Sequence, residues 1–143
     1  MIIFNYRKEK STITEYIFRP IASVKFKSKG NTWIKLRLYI DSGADITIIP
    51  LSFGRLLGLE LKKEDIKQLT GVGGISIPVV ITEVEIKIND IAFPINIAWA
   101  LEEDIPPLLG RTSVFDKFVI TFDQTKKIII FDSNKIKGLR ELD

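Results

Sequence analysis

The 143-residue sequence contains no cysteine and no histidine. Without cysteine it has no disulfide, no thiol nucleophile and no cysteine metal site. Without histidine, Ser-His-Asp and Cys-His mechanisms fall away, together with most zinc sites. Acid–base chemistry at acid to neutral pH is left to carboxylates. No apolar run approaches the roughly 20 residues needed to span a membrane. Met1 to Lys10 lacks an apolar signal core and carries Arg7, Lys8 and Lys10. The expected location is therefore cytoplasmic, with no membrane partner and with neither a cofactor nor a metal.

What is present suits one folded domain. Apolar residues make up 45% and charged residues 27%, a balance of globular rather than disordered chains. The net charge is +3. Its lysines and arginines are spread along the chain rather than gathered into one block studded with aromatics. A β-barrel that binds nucleic acid is one reading of the charge, but without such a block no nucleic-acid partner is expected.

Period-two alternation dominates. Residues 21–28 read as a half-buried strand, with Lys25 and Lys27 on the wet face, and Lys29-Gly30-Asn31 as a turn. In residues 32–40, Ile34, Leu36, Leu38 and Ile40 share one face. A strand over Ile46–Ile49 leads to Pro50 as a first helical residue, then a short helix Leu51–Leu57 closed by Gly58. Residues 62–69 are polar and lead to a glycine-rich run. Ile75–Ile88 and Ile91–Ala98 form strands around Asn89-Asp90. Phe118–Phe122 and Lys127–Phe131 form a last hairpin. Residues 1–20 read as an N-terminal extension or edge strand, residues 21–132 as the domain, and 133–143 as a tail in which Lys135–Leu142 could be helical. The pattern predicts an all-β, barrel-like domain with one or two short helices.

Three segments break the alternation. Asp41-Ser42-Gly43-Ala44-Asp45 sets a carboxylate at a tight turn between two strand-like runs. On its own it reads equally as an Asx-type turn. Thr70-Gly71-Val72-Gly73-Gly74-Ile75 is a glycine-rich run that reads as a mobile hairpin tip or as a plain flexible loop. It lacks the lysine and helix of a phosphate-binding P-loop, and its adjacent glycines do not fit the dinucleotide-binding spacing. Pro107-Leu108-Leu109-Gly110-Arg111 pairs two leucines with Gly-Arg, before a helix-like stretch from Thr112 to Lys117.

In order, spacing and residue type these segments resemble the retroviral-type, single-domain aspartic proteases, the retropepsins, over roughly residues 32–132. The resemblance implies a closed barrel-like fold acting as a homodimer. Each chain would supply one Asp41 to a shared pair that activates water for peptide hydrolysis. Asp41, Ser42 and Gly43 would form the catalytic loop, Ser42 bracing it by a hydrogen bond across the pair. Ala44, Asp45, Gly110 and Arg111 would support it, with Asp45 and Arg111 as an internal ion pair. Gly71, Val72, Gly73, Gly74 and Ile75 would form a flap over substrate. Tyr39, Ile48, Pro106 and Leu108, with Ala44, would lie near the cleft and favour apolar side chains. The expected partners are a second copy and an extended peptide or unfolded protein. The alternative is a non-catalytic peptide-binding or dimerisation module on the same fold, although such a module has no need of paired acids.

Overall fold

The computed structural model describes residues 1–71 and 73–133. The chain is mostly strand. The elements are β1 (Ile2–Asn5), β2 (Arg7–Lys10), β3 (Tyr16–Arg19), β4 (Ile21–Lys27), β5 (Trp33–Ile40), β6 (Thr47–Ile49), α1 (Leu51–Leu56), a 3₁₀ turn (Lys63–Asp65), β7 (Ile66–Thr70), β8 (Ser76–Ile88), β9 (Ile91–Ala100), β10 (Leu108–Leu109), β11 (Phe118–Asp123) and β12 (Ile128–Ser133).

The barrel closes because β4 pairs with both of its neighbours. Strands run in the order β4-β5-β10-β6-β9-β8, and β8 returns to β4 through Lys25–Lys87 and Phe26–Ile86. Alternation decides which side chains fill the interior. Ala22, Val24 and Phe26 point inward from β4, with Leu36, Leu38 and Ile40 from β5. Val84, Ile86 and Ile88 from β8 face Phe93, Ile95, Ile97 and Trp99 from β9, and all of these are buried in one core.

Residues 1–20 are more than an edge strand. β1 pairs antiparallel with β12, which also pairs with β11, making a three-stranded sheet. Phe4 and Phe118 each meet Phe131 edge-on, at 5.3 and 5.5 Å between centroids. This seals one side of the core. β2 and β3 form a separate hairpin running from Arg7 paired with Arg19 to Lys10 paired with Tyr16.

Several boundaries differ from the sequence reading. Pro50 is the residue before the helix, in extended conformation, rather than its first residue. Its missing N–H is still no loss there, since the first helical turn has no acceptor for it. The polar stretch before the glycines ends in a true strand, β7, because its partner β8 supplies the backbone ladder that its own side chains do not signal. Thr112–Lys117 is a run of turns instead of a helix. Ser113, inside the turn closed by the Val114 and Phe115 N–H groups on the Arg111 carbonyl, has φ 68°, a left-handed conformation that breaks a continuous helix. The proposed tail helix, residues 135–142, lies outside the described residues, as does Val72 of the glycine-rich run.

The sheet also gathers cations that look scattered in the sequence. On the outer face Lys25 lies opposite Lys35 on one side and Lys87 on the other. Lys87 and Lys27 stand over the Trp33 ring, at 4.4 and 5.7 Å. Lys27 also reaches Glu85 at 3.7 Å.

Candidate active site

Asp41 is the first residue beyond β5, and a crossing of chain segments fixes its place. β10 inserts between β5 and β6, parallel to the first (Tyr39–Leu108, Ile40–Leu109) and antiparallel to the second (Leu108–Ile48). The Asp41 N–H donates to the Leu109 carbonyl at 3.0 Å, and the Tyr39 N–H to the Pro107 carbonyl at 3.0 Å. The loop then turns back on itself. The Ala44 N–H donates to the Asp41 carbonyl at 3.2 Å, and the Gly43 N–H to Asp41 Oδ1 at 2.9 Å. The carboxylate is half-buried, and Oδ2 has no hydrogen-bond donor among the described residues.

The segment after β10 clamps this loop from outside. The Arg111 and Thr112 N–H groups donate to the Ala44 and Asp45 carbonyls, each at 2.9 Å. The Arg111 guanidinium bonds the Asp45 carboxylate and also donates to the Ser42 carbonyl at 3.3 Å. The ion pair is not internal: the Asp45 and Arg111 side chains are 86% and 51% exposed in this chain. Gly110 sits where no side chain fits. A Cβ there would lie 2.4 Å from the Ile46 carbonyl carbon.

Asp41 opens into a cavity of about 460 Å³ lined also by Tyr39, Ile40, Pro106 and Leu108 from the barrel, and by Glu9, Lys10, Arg19 and Pro20. The structure thus brings together Tyr39, Asp41, Pro106 and Leu108. Ile48, the cross-strand partner of Leu108, is not among the residues lining this cavity and packs on an apolar cluster with Val79, Ala98 and Ala100. The glycine-rich tip joins β7 to β8. The Gly71 N–H donates to the Ile75 carbonyl at 3.0 Å, and Gly73 and Gly74 have φ of 92° and 78°. Ile75 is 73% exposed there, away from the cavity lining. Ser42 and Gly43 are exposed, Ala44 half-buried.

Two residues escaped the sequence reading. Thr47 is fully buried, and its hydroxyl accepts from the Gly110 N–H. It was masked by the β-branched run around it, where Thr is an ordinary strand residue. Glu9 contacts Tyr39 across 30 residues of sequence. The only signal for it was a lone acid among Arg7, Lys8 and Lys10. Burial raises the Tyr39 hydroxyl above its usual range, and the bond to Glu9 adds to this. Burial would raise Glu9 as well, but bonds from Arg7 and Tyr39 and the charges of Arg7 and Arg19 outweigh it and hold the carboxyl below the ordinary range. Among the described residues no three Asp or Glu side chains cluster so as to hold a metal, and no helix is long and apolar enough to cross a membrane.

The family model described as aspartyl protease matches residues 24–112. Among solved structures, EIAV protease in complex with the inhibitor HBY-793 is 27% identical, with a TM-score of 0.53, covering 68% of this chain and 86% of that one. A retropepsin-like aspartic protease from Rickettsia conorii shares the fold at 17% identity and a TM-score of 0.58, over 88% of this chain and 98% of that one. No curated protein matches the chain.

Proposed function

Since this chain belongs to the aspartyl protease family, in its retropepsin-like branch, we propose that it is a homodimeric endopeptidase whose Asp41 is one half of the catalytic pair. The observation that carries this reading is the Asp41 carboxylate itself. It is held by the β5–β10 crossing, has one oxygen without a hydrogen-bond donor among the described residues, and faces a cavity large enough for peptide side chains.

One Asp-Ser-Gly per chain requires a second copy. A twofold axis would set the two Asp41 carboxyls together over one water. Two carboxyls in contact cannot both ionise cheaply, so they hold one proton between them. The ionised carboxylate takes a proton from the water as its oxygen attacks the scissile carbonyl carbon. The protonated carboxyl gives its proton to the carbonyl oxygen. Collapse of the tetrahedral intermediate breaks the C–N bond: the amine leaves with one proton from the pair, and a hydroxyl of the intermediate returns one to it, so the pair again holds a single proton. Water is consumed, and a new carboxyl and a new amine are released.

The neighbours take supporting parts. Ser42 braces the two loops across the pair, and Gly43 leaves room for the substrate backbone. Gly110 and the Asp45–Arg111 pair hold the loop in register. The Gly71–Ile75 tip, freed by its glycines to adopt left-handed conformations, closes over an extended peptide and bonds its backbone.

The test is cleavage of a denatured protein mixture from acid to neutral pH by wild type and Asp41→Asn. Acid-favoured, pepstatin-sensitive cleavage that the variant lacks supports the reading. Equal cleavage by both proteins, or by neither, refutes it; peptide binding without cleavage would leave the non-catalytic module.

A further inference from the structure

The Asp41 cavity has walls of two origins. Tyr39, Ile40, Pro106 and Leu108 belong to the stretch that the family match covers, whereas Glu9, Lys10 and Arg19 come from the β2–β3 hairpin, before that match begins at residue 24. The hairpin is latched to the barrel by one carboxylate. Glu9 accepts from the Tyr39 hydroxyl at 2.9 Å through Oε2, and its Oε1 forms an ion pair with Arg19, 3.0 Å from Nε. Arg7 Nε adds a further bond to Oε2 at 3.1 Å. Both Glu9 oxygens are therefore spent on the protein, and the side chain is 16% exposed against 47% for Arg19. Its effect is to hold Arg19 and the Tyr39 ring in place.

The charge left over at this wall is positive. Of the hairpin residues that line the cavity, Lys10 and Arg19 face one acid, Glu9, which Arg7 also bonds from outside the lining, and Arg19 has no second carboxylate among the described residues. A half-exposed guanidinium, pinned through Nε beside a cavity, is preorganised to take a carboxylate. The Asp41 charge disfavours an anion next to itself, so the acidic residue belongs at a position flanking the cut rather than at it. We propose that the β2–β3 hairpin turns this cavity into an acid-selective subsite, in which Arg19, positioned by Glu9 and aided by Lys10, recognises an Asp or Glu side chain of the peptide. Specificity here is mixed: apolar contacts from Pro106 and Leu108, and one charge from the hairpin.

This inference rests on the endopeptidase reading, and its test separates the two. Peptides differing only by Glu, Gln or Lys at each flanking position are cleaved by wild type, Arg19→Gln, Arg19→Glu and Glu9→Gln, with Asp41→Asn as blank. At one position wild type should favour Glu over Gln about fivefold, the size a half-exposed ion pair supports. The gain should appear in KM and shrink in high salt. Arg19→Gln should flatten it, and Arg19→Glu should turn it toward Lys at the same position. A merely structural role for the hairpin would not reverse a charge preference. Wild type indifferent to Glu at every position, or Arg19 variants that keep the wild-type preference, overturns the subsite and leaves the endopeptidase standing. Absence of any Asp41-dependent cleavage removes both.

Discussion

The backbone N–H of Gly110 donates to the hydroxyl of Thr47 at 3.0 Å, in a fully buried contact that ties the β10 crossing to the strand leaving the Asp41 loop. No other polar side chain is completely buried among the described residues. Replacing Thr47 with Val keeps the shape and removes the acceptor. The stranded N–H should cost about 1–3 kcal/mol, read as a lower denaturation midpoint at unchanged slope. Thr47→Ser should recover most of the polar contribution, with a smaller loss from the missing methyl.

Arg111→Lys tests the clamp on the Asp41 loop. Lysine keeps the charge opposite Asp45 but cannot reach both Asp45 and the Ser42 carbonyl as the planar guanidinium does. The pair is exposed, so the stability loss should be small, about 1 kcal/mol or less. Cleavage should fall by more than that loss alone implies, because the loop is less well held, while the bonds cut stay the same. Unchanged kinetics and melting would count against the clamp.

Lys25 sits between Lys35 and Lys87 on adjacent strands. Like charges facing each other across a ladder destabilise it. Lys25→Glu should replace two repulsions with two attractions and raise stability by about 0.5–1 kcal/mol. The gain should fade in 1 M salt as screening closes in. Thermal melts at two salt concentrations decide it.

The Glu9 latch should open in acid. A carboxyl held below its ordinary value in the folded chain adds stability above its unfolded value, and loses that contribution as the pH falls through the folded one. The groups facing it are Arg7 and Arg19 of the hairpin and Tyr39 of β5. Amide exchange, corrected for its intrinsic pH dependence, should therefore quicken in β2 and β3 below the ordinary carboxylate range, with the barrel still protected. In Glu9→Gln the hairpin should exchange fast at every pH. A hairpin equally protected in both proteins across that range would show that Glu9 does not hold it.

The barrel strands were readable because each buries one face, and burial writes itself into the sequence as alternation. The β4 and β5 pattern of Val24, Phe26, Leu36 and Leu38 is such a case. The Asp41 loop stood out for the opposite reason: Asp, Ser and Gly interrupt that alternation, although the triplet alone fits an Asx-type turn and gained meaning from the glycine-rich run and the Gly110-Arg111 segment that follow it. Element ends were less legible. Whether Thr112–Lys117 becomes a helix turns on the left-handed backbone at Ser113, which the side chains there do not announce.

Local order fixed the strands, the Gly110–Arg111 turn and the one Asp-Ser-Gly turn, since period, turn chemistry and the lack of histidine act over a few neighbouring residues or through composition alone. Only the folded barrel decided that Glu9 would meet Tyr39, that Thr47 would serve Gly110, and that lysines far apart in the chain would share one face of the sheet. Such pairings depend on which strands lie side by side and in what register, and no short stretch of sequence carries that information.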